Sequence, residues 1–231
     1  MAIQIHINKS QIADLKAIAE LGPDALGEVV DAIEKFEPAP FTPAELQTVI
    51  QGVIKEDKSV VDSILRQALS LASFKRRGKL ASTAIVEAIR EALKAATPSV
   101  GAPMLAKWEA LEPTLNRLVA SRRVETTAKT LNLAYDYANL LRTTRIVTDV
   151  RPVFDNDVTT IDGAVVSFTL RLSYDNNEGN HGLSIAMNQP DVKALRDQCD
   201  RALKKSALAQ ETMAKLPFRV TVSGSEDYEP R

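Results

Sequence analysis

The chain contains one cysteine, Cys199, in 231 residues, so no disulfide can form within it. So few thiols suit a reducing compartment, and the expected location is the cytoplasm. Histidine is almost as scarce. His6 and His181 are the only two, and neither has cysteine or carboxylate neighbours at metal-ligand spacing. No stretch approaches the roughly 18 uninterrupted apolar residues of a membrane span. The N-terminus lacks the basic-then-apolar pattern of a secretion signal, and a soluble protein is expected. An excess of one charge is missing too. Lysine and arginine total 29 against 30 acidic residues, which differs from the basic footprint of a typical nucleic-acid binder. The phosphate-cradling GxxxxGK[ST] loop, GxGxxG after a strand, GxSxG and HExxH are all absent. The expectation is a non-enzymatic protein with no cofactor and no metal.

What is present is periodicity. Ile12, Leu15, Ile18 and Ala19 lie on one helical stripe, and Gly22-Pro23-Asp24 ends that helix and starts another carrying Leu26, Val29, Val30 and Ile33. In "TPAE", Thr42 can cap, Pro43 fits the first helical position and Glu45 can reach back to the cap amide. Further stripes run through Leu46–Val53, Val60–Leu71, Ile85–Leu93 and Leu105–Leu118, with Pro113 expected as a kink or break. Ala128, Leu131, Leu133, Ala134, Tyr137, Ala138 and Leu141 extend a last stripe to the end of this half.

Near residue 143 the period changes from about 3.6 to 2. "TTRIVTDVRPVF" is rich in β-branched residues, with Pro152 pointing to an edge strand. "VVSFTLRLSY" alternates, "DNNEGN" is turn chemistry, and "GLSIAM" forms a third strand. "NQPD" then opens a helix, with Asn188 as cap and Val192, Leu195, Cys199, Ala202, Leu203 and Ser206 at helical spacing. Two short alternating segments, Ile3-Ile5-Ile7 and Phe218-Val220-Val222, are expected to pair with each other or to extend the sheet. The expected fold class is α+β: an all-helical domain over residues 1–141 with a short N-terminal strand, then over 142–231 a small antiparallel sheet with one helix and an extra strand.

Few residues suggest chemistry. Asp149, Asp155, Asp157 and Asp162 could supply paired carboxylates, but Asp155-Asn156-Asp157 and Asp162-Gly163 are also turn formers, and the turn reading is preferred. Cys199 on an apolar stripe reads as a buried structural thiol. The basic run Lys75, Arg76, Arg77 and Lys79 complements a helix C-terminus. With Arg122 and Arg123 it supplies the alternative function, a nucleic-acid-associated regulator binding through a basic patch on the helical domain.

Three short strands and one helix bury too little to stand alone. Burial gains roughly 25 cal/mol per Å² of apolar surface, against about 1.5 kcal/mol of entropy per ordered residue. The unit therefore needs a cover, and a second copy supplies one with a single self-complementary surface. The expected homodimer interface is Val166, Phe168, Leu170, Leu172, Leu183, Ile185, Met187 and Leu195.

An all-helical part followed by "RIVTDVRPVF", "VVSFTLRLSY" and "HGLSIAMNQPDVKALRDQCDRAL" resembles the COMM-domain proteins, named for copper-metabolism gene products. In that family the first strand follows a helix directly, the second is an alternating apolar run, and the third leads into a helix. The resemblance covers residues 142–214. It implies obligate dimerisation through the sheet and an adaptor or scaffold role in a multi-subunit complex, without catalysis.

Overall fold

The computed structural model describes Ile5 and residues 7–54, 58–96, 102–176 and 178–223. Among them are eight helices and a three-stranded antiparallel sheet. The chain is α+β and divides into two compact units, one built on residues up to Ala134 and one spanning Tyr135–Val222.

The first unit holds α1 (Lys9–Leu21), α2 (Pro23–Lys35), α3 (Pro43–Val53), α4 (Lys58–Gly78), α5 (Ser82–Ala95), α6 (Ala102–Ala120) and α7 (Arg122–Ala134). Helix starts follow local chemistry. Asn8 Oδ1 accepts from the Gln11 amide at 2.9 Å, while the Gln11 side chain accepts from the Asn8 amide at 3.0 Å. Thr42 and Glu45 form the same reciprocal box at α3, and Glu45 Oε2 also accepts from Phe41 N–H at 2.7 Å. α4 lies at the centre and touches α1, α3, α5, α6 and α7. The core gathers the expected stripes around Trp108, with Ile18, Leu26, Ile50, Ile64, Ile85 and Leu111 fully buried.

One polar clasp sits beside that core. Asp14 of α1 is buried and accepts from Ser63 Oγ at 2.9 Å, Arg66 Nη2 at 2.7 Å and Gln67 Nε2 at 3.1 Å, all on α4. Burial pushes its carboxyl up, but the bonds from Arg66, Gln67 and Ser63 outweigh burial and hold it below the ordinary aspartate value.

Pro113 neither breaks α6 nor ends it, since the helix runs on to Ala120. Pro113 and Glu109, four residues before it, are both exposed, so water can take the carbonyl that the proline leaves without a donor.

The second unit holds β1 (Leu140–Phe154), β2 (Ile161–Asn176), β3 (Gly179–Met187) and α8 (Gln189–Met213). The strands lie in the order β1-β2-β3, all antiparallel. Gly179, at φ +122°, opens β3 after the β2–β3 turn, and Asn176 Oδ1 accepts from the Glu178 amide at 2.8 Å. Asn188 and Asp191 cap α8 reciprocally at 2.9 Å each.

Three expectations shift here. α7 stops at Ala134 and β1 starts at Leu140, so Tyr137 and Leu141 belong to no helix. Asp136 and Asn139 lie in the intervening bend, where residues of their type compete with helical hydrogen bonding. Phe218, Val220 and Val222 lie in no strand, and neither do Ile5 and Ile7, which are half-buried against the helical core. Ile3 and His6 lie outside the described residues.

Candidate interaction surface

Directly opposed residues in a ladder share a face, so the strand register defines two faces of the sheet. Leu170 lies between Ile146 of β1 and Ile185 of β3; Phe168 lies between Thr148 and Met187. Thr144, Leu172 and Leu183 form a further row, and Val150 meets Val166. Of the expected interface residues, Val166, Phe168, Leu170, Leu172, Leu183, Ile185 and Met187 therefore share one apolar face. Ile146, Val150, Phe154 and Ile161 add to it. Sequence reading missed these four, although the alternation of Ile146, Val150 and Phe154 in "RIVTDVRPVF" carried the signal. Tyr174 and His181 stack at one end of the face, with ring centroids 5.5 Å apart.

Little covers this face. Val166 is 56% exposed, Leu183 48% and Ile185 42%; Phe168, Leu170 and Leu172 are half-buried. Every fully buried apolar side chain among the described residues lies between Leu15 and Ala128, so the second unit has none. α8 approaches the sheet along β2 but buries none of its own residues. Its apolar and small residues, Val192, Leu195, Cys199, Ala202, Ser206, Ala209 and Met213, recur at alternating steps of three and four, the spacing of a helix-packing seam. Leu195 lies on this stripe and is 37% exposed. Cys199 is exposed rather than buried as expected, because the whole helix lacks a cover.

The acidic residues separate. Asp155 organises the β1–β2 turn, accepting from Thr159 Oγ1 and N–H at 2.7 Å each and from Thr160 N–H at 3.2 Å and Oγ1 at 3.1 Å. The Thr159 hydroxyl first, then the backbone amides, hold its carboxyl down at about 2. Asp149 lies mid-strand opposite Ser167. No group of three or more His, Cys, Asp or Glu among the described residues could hold a metal.

The basic residues are only partly available. Lys75 pairs with Glu125 at 3.0 Å. Arg123 donates to the carbonyls of Ile33 and Phe36 at the end of α2 and pairs with Glu37. Arg76, Arg77, Lys79 and Arg122 remain exposed.

No helix among the described residues is long and apolar enough to cross a membrane. No protein-family model matches the chain, and no curated protein matches it either.

Proposed function

We propose that this chain is a non-enzymatic interaction protein that self-associates through the unit Tyr135–Val222, with a second copy covering the apolar sheet face and the α8 stripe. The observation carrying this reading is that a regular three-stranded sheet presents an apolar face with no fully buried side chain of its own. Exposed apolar patches of this kind mark association surfaces. A symmetric pair brings two identical patches together and needs no other component. The resemblance of residues 142–214 to the COMM domain points the same way, toward an adaptor in a multi-subunit complex of the cytoplasm. The basic-patch alternative is weaker, because Lys75 and Arg123 are engaged inside the helical unit.

Sedimentation of the full chain tests the proposal. A species of twice the chain mass at micromolar concentration is expected; a single-copy species throughout that range overturns it.

A further inference from the structure

The polar face of the sheet carries a charge pattern that one chain leaves unbalanced. From Thr143 to Val153, β1 runs opposite β2 without a register shift, so Arg145, Val147, Asp149 and Arg151 point to the same side. Arg145 stands directly opposite Arg171, and Arg171 opposite Ser184. Like charges directly across a ladder destabilise it. Asp149 is the one carboxylate on this stretch of β1 and faces Ser167 instead. Among the described residues Arg145, Asp149 and Arg171 form no ion pair.

The outer edge of β1 takes no strand among the described residues. Charges on an edge strand ordinarily guard against pairing with a copy. Here their signs do the opposite, because Arg145 and Asp149 lie symmetrically about Val147. We infer that two copies of β1 pair edge to edge, antiparallel, about a two-fold axis at Val147. This sets Arg145 opposite the partner's Asp149 and Asp149 opposite the partner's Arg145. The two three-stranded sheets then join into one. Each Arg145, flanked by Arg171 on its own chain, gains a carboxylate on its other side.

Registers two residues away do worse, and a slide of six, centred on Val150, sets Asp149 opposite the partner's Arg151 but overlaps only residues 146–154 instead of the whole of β1. Sliding the strands by two residues one way sets Arg145 against the partner's Arg151; the other way sets it against Val147 and leaves Asp149 opposite Thr143. A one-residue slip sets apolar face against polar face. The two-fold axis also leaves both apolar faces on the same side, so the α8 stripe of one copy can reach over the joined edge and cover the face of the other, as the proposed self-association requires. The inference rests on the self-association proposed above and specifies its register.

The test is charge exchange in the full chain, read by sedimentation and by the thermal midpoint of each variant. Arg145→Asp and Asp149→Arg each set like charges opposite each other twice per pair, and each is expected to weaken self-association at least about tenfold. An equimolar mixture of the two variants restores both attractions, and so does the double variant in one chain; both are expected to return to within about threefold of the wild type. If a reversal prevents folding, Arg145→Gln and Asp149→Asn carry the same test, each with a loss of about threefold. Single variants that associate like the wild type, or a mixture no tighter than its components, overturn the register. A wild type that stays single ends both this inference and the proposed function. A dimer blind to these charges but dispersed by Phe168→Asp keeps the apolar-face reading and removes the edge pairing.

Discussion

Phe168→Asp is expected to convert the self-associated protein into single chains at any practical concentration. Phe168 occupies the centre of the apolar face, opposite Thr148 on one side and Met187 on the other. In an assembled pair the new carboxylate is buried against apolar groups with no cation within its row. An unpaired buried charge costs about 3 kcal/mol or more. It enters twice in a symmetric pair, so the association constant falls roughly ten-thousandfold. Phe168 is half-buried within the single chain, so its replacement also removes packing inside the unit. Ile185→Asp separates the two effects. Ile185 is 42% exposed in one chain, so a carboxylate there keeps its water until a second copy arrives. Both variants are expected to disperse the pair while the helical unit keeps its thermal midpoint. A pair that survives both substitutions rules out the apolar face as the interface.

Trp108→Ala is expected to produce the largest loss of folding stability, about 3–5 kcal/mol in a chemical-denaturant experiment on the helical unit. Trp108 is fully buried and is the largest side chain in the core of that unit. Its indole N–H meets no acceptor among the described residues, so its removal forfeits packing and apolar burial rather than a hydrogen bond. The loss approaches the whole stability of an ordinary domain, roughly 5–15 kcal/mol. The transition of the helical unit should therefore move to much lower denaturant or lose its cooperativity. A loss below about 1 kcal/mol would mean that the space around Trp108 collapses without cost.

The sequence carried local signals well. Asn188 and Asp191, or Thr42 and Glu45, announce a helix start because the capping bond lies within three residues of its origin. Strand alternation placed Phe168, Leu170 and Leu172 on one face before any register was known. Signals that depend on distant partners were less readable. Phe218, Val220 and Val222 alternate as a strand does, yet a strand forms only beside another strand, and local pattern cannot supply one. Tyr137 and Leu141 continue a helical spacing from Ala134, but helix propagation fails across the bend that includes Asp136 and Asn139. The charge balance of the polar face stayed hidden for the same reason. Arg145 and Arg171 are 26 positions apart in sequence, and only the β1–β2 register sets them side by side.

The sheet unit's need for cover by a second copy is tested most directly by intermolecular nuclear Overhauser effects in a mixture of labelled and unlabelled chains. Contacts from the Leu170, Leu172, Leu183 and Ile185 methyl groups of one copy to protons of the other are expected. Contacts confined to a single chain, with those methyl groups either solvent-exposed or sheltered by the chain's own residues, would contradict it.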